Sequence, residues 1–187
     1  DNNDIIDNNA IDNTDGIELV GSSDNNVTDN NATENTNRGI FLDSADGNNV
    51  TGNNATGNTG NGIDLRAASG NDVRSNNVTD NSIGIILSVS SNNNVTENTV
   101  SANDNSGIIL MRSSDNNSVM DNNATDNEFS GIDLDSSSDN NVTDNNAIGN
   151  NNFGIALDTS SDNNLVADNT ANDNEFSGIS LVDSSDN

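Results

Sequence analysis

The tetrapeptide Gly-Ile-x-Leu returns at intervals of 22 to 24 residues along the whole chain, and this period constrains the fold more than any other feature. Its glycines are Gly16, Gly39, Gly62, Gly84, Gly107, Gly131, Gly154 and Gly178, and its leucine column runs from Leu19 to Leu181 without exception. A fixed period of this length marks a solenoid, in which each unit buries its apolar face only against its neighbours. Residues 1–187 read as one uninterrupted array, a segment of a longer array or a stacking filament subunit.

Each unit continues as Asn-x-Val-x-x-Asn-x-Ala-x-x-Asn, as in the stretch from Asn25 to Asn35. The Val column runs from Ile5 to Val166 and the Ala column from Ala10 to Ala171, with Val78 and Val100 standing in two of the Ala positions. All 24 positions of the three Asn columns over eight units hold Asn; three successive units supply Asn25, Asn30 and Asn35, then Asn48, Asn53 and Asn58, then Asn71, Asn76 and Asn81.

Helices are excluded. Ile-x-Leu alternates with period two, β-branched residues mark the other short segments, and Asn and Gly at this density would melt a helix. Side chains two apart on a strand share a face, so Ile17 and Leu19 point inward together. The pattern predicts about eight stacked coils of 22–24 residues, three short strands per coil, with like residues in ladders roughly 4.8 Å apart. A buried Asn needs partners for a carbonyl and an amide, and its neighbours in the ladder supply them. Asn tolerates the left-handed backbone of a tight corner, and the Gly before each Ile is expected to supply another such corner.

That regularity overrules composition. A chain with 29% hydrophobic residues and a net charge of −27 would otherwise read as disordered. His and Cys are absent, which excludes disulfides and imidazole or thiolate metal sites. The acidic balance argues against nucleic acid, and no apolar run is long enough for membrane insertion.

The unit Gly-Ile-x-Leu-x-x-Ser-x-Asp-Asn-Asn-Val-x-x-Asn-x-Ala-x-x-Asn resembles the parallel β-helix repeat of the pectate-lyase-like superfamily over the whole chain. It is most similar to the carbohydrate-binding and sugar-hydrolase β-helix domains, among them the periplasmic copper-binding maturation proteins and archaeal surface proteins. The resemblance implies an all-β fold, a right-handed parallel β-helix. Copper delivery is not carried over, because Met111 and Met120 stand alone without His or Cys.

Among 31 carboxylates no catalytic pair stands out. Asp64 and Asp133 follow inward Ile residues and should point outward, while Asp43, Asp135 and Asp158 lie just beyond the Leu column. With Trp and Tyr absent, no aromatic platform for a sugar ring is expected. Asp7, Asp29, Glu97, Asp121, Asp144 and Asp168 form an outward acidic column, and oxygen ligands repeated at coil spacing suit Ca²⁺. A halophilic surface with no fixed ion is the alternative. Sequons at Asn26, Asn31, Asn49, Asn54, Asn77, Asn94, Asn123 and Asn141 precede inward residues and are candidate glycosylation sites; Asn116 heads a ninth.

Regular repeats and missing catalytic residue types point to a structural extracellular or cell-surface protein, a segment of a surface layer, sheath, fibre or adhesin, and not to an enzyme. Both ends fall within a coil, so head-to-tail or lateral self-association is expected. The alternative is a polysaccharide-binding or polysaccharide-processing module with glycans as partners.

Overall fold

A computed structural model describes residues 1–187: nineteen short strands and no helix. Every strand pairing is parallel. Eight strands form a leucine sheet: Ile17–Val20, Ile40–Asp43, Asn61–Arg66, Ile83–Ser88, Ile108–Met111, Ile132–Asp135, Ile155–Asp158 and Ile179–Val182. Eight more form a valine sheet: Asp4–Ile6, Asn26–Thr28, Asn49–Thr51, Asp72–Arg74, Asn94–Thr96, Ser118–Met120, Asn141–Thr143 and Leu165–Ala167. The chain visits the two in alternation, which makes eight coils of a right-handed parallel β-helix.

Register places like on like. Ile40 pairs with Ile63, Leu42 with Leu65 and Val27 with Val50. Twelve Ile and Leu side chains, from Ile40 to Leu157, are wholly buried. Each contributes roughly 1.5–3 kcal/mol, so a thin apolar column is enough to hold a very polar chain together.

The expectation of three strands per coil holds in three coils only. The third sheet consists of Asn77–Thr79, Thr99–Ser101 and Asn123–Thr125; elsewhere single bridges such as Asn31↔Asn54 and Asn146↔Thr170 take its place. Its first two strands carry Val78 and Val100 where the column otherwise holds Ala, and the third stacks on Val100. Extended backbone favours the β-branched residue.

The Asn ladders form as expected, with one correction. Asn53 donates from its main-chain N–H and from Nδ2 to Asn76 Oδ1, at 2.8 and 3.0 Å, and also from Nδ2 to Val27 O at 2.8 Å. Every valence of the buried amide is used. The left-handed corner, however, lies one residue earlier. Asp24, Asp29 and Glu34, which precede Asn25, Asn30 and Asn35, have φ of 57°, 53° and 56°. Gly47, Gly52 and Gly57 fill the same positions in the next coil.

A fourth corner, unread in the sequence, has the same construction in a smaller side chain. Val89 (φ 56°) precedes Ser90, whose Oγ accepts from Ala68 N at 3.1 Å and donates to Leu65 O at 3.1 Å. Ser114, Ser137 and Ser161 extend this serine ladder.

The glycines before Ile are not left-handed corners. A Cβ at Gly39 would lie 2.6 Å from Gly62 O and 2.8 Å from Asn58 Nδ2. The column is glycine because the main chain there touches the ladder and the next coil.

Candidate functional site

Residues between Ile and Leu in the leucine sheet face away from the core, yet several are recessed. The column reads Glu18, Phe41, Asp64, Ile86, Ile109, Asp133, Ala156 and Ser180. Phe41, Asp64 and Ala156 are almost wholly buried, at 3%, 5% and 1% exposure. Asp64 lies between Phe41 and Ile86, and Asp133 between Ile109 and Ala156. Each of these carboxylates therefore has apolar neighbours on both adjoining strands.

The two centres differ in their charges. Around Asp64, Arg38 Nε bonds Asp15 Oδ1 at 2.9 Å, and Arg38 Nη1 stands 4.0 Å from Asp64 Oδ2. Asn61 Nδ2 donates to Asp64 Oδ2 at 3.0 Å. The Arg38 guanidinium lies 3.4 Å from the centroid of Phe41, and that of Arg66 5.2 Å. Burial raises the Asp64 carboxyl above its ordinary value, against the lowering effects of Asn61, Arg38 and Arg66. Two carboxylates and two guanidiniums balance here, which makes this a paired, structural cluster.

No cation lies close to Asp133. Its Oδ1 is closed off from solvent and has no hydrogen-bond partner. Burial, then the charges of Asp158 and Asp135, push its carboxyl up to about 7. Asp158, on the next strand, is also raised, by burial and then by the charge of Asp135. Asp135 Oδ1 accepts from Ser136 Oγ at 3.0 Å. A carboxyl raised to about 7 beside two further carboxylates is the apparatus of general acid–base chemistry. Sequence reasoning named Asp133, Asp135 and Asp158 but had no ground for choosing them.

Three of the four Phe residues lie in the turn that leads into this part of the sheet. Phe129, Phe153 and Phe176 stand in consecutive coils, and the rings of Phe153 and Phe176 are 6.1 Å apart. Phe129 and Phe176 are exposed. Only stacking of the coils brings the rings of Phe153 and Phe176 together.

The proposed cation ligands Asp7, Asp29, Glu97, Asp121, Asp144 and Asp168 all occupy one left-handed corner, with φ between 53° and 58°. Asp takes that conformation readily, and Gly52 and Ser75 complete the column. No three carboxylates anywhere converge as a metal site. Of the sequon residues, Asn26, Asn77 and Asn94 are exposed, while Asn31, Asn49, Asn54, Asn123 and Asn141 are half-buried. Asn31, Asn54 and Asn77 form an outer amide ladder in which Asn54 Nδ2 donates to Asn31 Oδ1 at 2.8 Å and Asn77 Nδ2 to Asn54 Oδ1 at 2.9 Å.

Two families match the sequence. The family described as periplasmic copper-binding protein (NosD) matches residues 1–105, and the right-handed β-helix region matches residues 69–187. No curated protein matches. Among solved structures, the A-module of the mannuronan C-5 epimerase AlgE6 of Azotobacter vinelandii aligns over 99% of this chain and 57% of its own, with TM-score 0.84 and 18% identity. The AlgE4 A-module of the same organism gives 97% and 55%, 0.78 and 22%. The periplasmic alginate epimerase AlgG gives 91% and 47%, 0.68 and 20%. The chain thus spans about half the length of each, and at these identities they establish the fold.

The expectation that the chain is not an enzyme is corrected by these matches, since several structures sharing its fold are epimerases, beside others such as the Dettilon tailspike protein. Burial and like charge, which raise the Asp133 carboxyl, are both invisible in composition. Copper, printed in the name of one matching family, does not fit the residues present. His and Cys are absent, and Met111 and Met120 lie on different sheets.

Proposed function

The chain belongs to the right-handed β-helix family, and from that premise we propose that it is a polysaccharide-processing module working on the outward face of the leucine sheet. The observation that carries this reading is the Asp133 carboxyl, held between Ile109 and Ala156 with one oxygen unpartnered and two carboxylates beside it. Asp133 gives its proton to the glycosidic oxygen as the bond to the anomeric carbon breaks. Water adds to that carbon and yields its proton to the carboxylate of Asp135 or Asp158. The likeness to alginate and mannuronan epimerases supports a glycan as substrate. The word periplasmic in the names NosD and AlgG supports a location outside the cytoplasm.

A structural surface role takes second place, because a rod needs no unpartnered, half-buried carboxyl on its flank. The test is release of new reducing ends from a panel of neutral and acidic polysaccharides by the wild type and by Asp133→Asn. Release by the wild type and its loss in the variant support the reading. Equal release by both, or none from any polysaccharide, overturns it.

A further inference from the structure

We propose that Ile86, Ile109, Met111 and Val89 form an acyl subsite beside Asp133, in which the alkyl part of an O-acylated sugar packs on the apolar side chains and Arg112 donates to its ester carbonyl. This rests on the glycan-processing reading above and adds the substrate class.

The outward face of the leucine sheet is charged on either side of this belt and apolar within it. Ile86 pairs with Ile109 on the next strand, and Met111 with Ser88. On one side stand Asp64 and Arg66, which pair with Ile86 and Ser88. On the other stand Asp133 and Asp135, which pair with Ile109 and Met111. The belt therefore begins one strand, roughly 4.8 Å, from the carboxyls assigned to glycosidic cleavage, and one substituted sugar unit reaches both. Ile86, Ile109 and Met111 are half-buried, while Val89, at the edge of the belt, is 55% exposed.

Two corner residues in consecutive coils mark the belt as a site. Val89 has φ of 56° and Arg112 of 58°; Val89 N donates to Met111 O at 3.3 Å and Arg112 N to Asp135 O at 3.2 Å. A β-branched residue in that conformation is an outlier, and strain of this kind concentrates where ligands bind. Arg112 is exposed, and alone among the four Arg it has neither an ion pair nor an aromatic partner. Arg38 is tied to Asp15 and Arg74 to Glu97, and Arg66 lies over Phe41.

An acyl ester uses both features. A bare sugar hydroxyl or a uronate carboxylate would engage the guanidinium and leave the belt in water. The alkyl group of an ester covers that apolar surface, and its carbonyl is an uncharged acceptor that Asp135 does not repel.

The test measures retardation in native gels containing O-acetylated glucomannan, xylan or alginate, each against its alkali-deacetylated form. Deacetylation leaves the backbone intact, which isolates the ester. At least one acetylated polymer should bind about tenfold more tightly than its deacetylated form. Val89→Gly, which removes apolar surface, and Arg112→Gln, which removes the guanidinium, should each lose about fivefold of that affinity while circular dichroism stays that of the wild type. Deacetylated polymers bound as tightly as acetylated ones, or acetylated binding that either variant leaves intact, overturns the subsite and leaves the glycan-processing reading standing. Absence of binding by every polymer, with no release of reducing ends, overturns both.

Discussion

Asn76 Oδ1 accepts two hydrogen bonds from Asn53 of the preceding coil, one from its main-chain N–H at 2.8 Å and one from its Nδ2 at 3.0 Å. Asn76 Nδ2 in turn donates to Asn98 Oδ1 and to Val50 O. A single side chain thus ties its own coil to the coil on either side.

Asn76→Ala removes that side chain at a position 1% exposed. Two donors of Asn53 and the Val50 carbonyl are left buried without partners, at about 1–3 kcal/mol for each orphaned group. The expected result is a large drop in the urea midpoint. A midpoint within error of the wild type would contradict the ladder as a source of stability.

Val89 has φ of 56° with a β-branched side chain 55% exposed. That conformation costs a non-glycine residue roughly 1–2 kcal/mol, and the same corner holds Gly21, Ser44, Ala67, Arg112, Ser136, Thr159 and Asp183 in the other coils. Val89→Gly should therefore stabilise the fold by a sizeable part of that strain, offset by the greater freedom Gly gives the unfolded chain. Thermal melts showing no gain would mean that the exposed Val compensates through contacts of its own.

Gly39→Ala and Gly70→Ala separate two uses of glycine. The first drives a methyl against Gly62 O and Asn58 Nδ2, and should abolish or severely weaken folding. The second, at φ 67° with nothing nearer than 4.0 Å, should cost only the backbone strain of about 1–2 kcal/mol. Equal losses in chemical denaturation would refute the steric account of the Gly-Ile column.

Asp133 makes stability fall as pH rises. Its carboxyl sits near 3.8 ordinarily and about 7 in the fold, so between these values the folded chain holds a proton that the unfolded chain releases. The contribution is complete below about 3.8 and is lost as pH climbs through about 7. Asp64 and Asp158, also raised, act in the same direction. Melting temperature should decline across this window in the wild type and more shallowly in Asp133→Asn. Parallel pH profiles would show that Asp133 does not carry the proton.

The fold was legible because its signals are columns. Gly-Ile-x-Leu, the Val and Ala positions and the Asn ladders recur at one period, and each is dictated by a single contact repeated eight times. The acidic corner column was equally visible. Asp29 and its equivalents look like cation ligands in a list of charges, and their left-handed backbone gives Asp a second reason to stand there. The carboxyl of Asp133 owes its character to Ile109 and Ala156, 24 and 23 residues away in sequence and adjacent in the sheet. Reading the x of Ile-x-Leu as a column of its own would have exposed an Asp flanked by apolar residues. The contact of Phe153 with Phe176 was hidden likewise, since the two rings meet only when the coils stack.

The Asn-to-Asn bonds all run one way, to Oδ1 of the coil that follows, while Nδ2 also reaches back to a main-chain carbonyl of the coil before. Every interior coil thus meets both neighbours through the same repeated bonds. The interface between coils is a modular joint, indifferent to how many precede it. A residue added in a turn leaves the ladders in step, as coil spacings of 22, 23 and 24 residues show, and insertion of one complete coil would likewise preserve each joint. Lengthening such a molecule is then a matter of whole-unit duplication, with cohesive energy extensive in the number of coils and the rod acting as a ruler graduated in steps of roughly 4.8 Å.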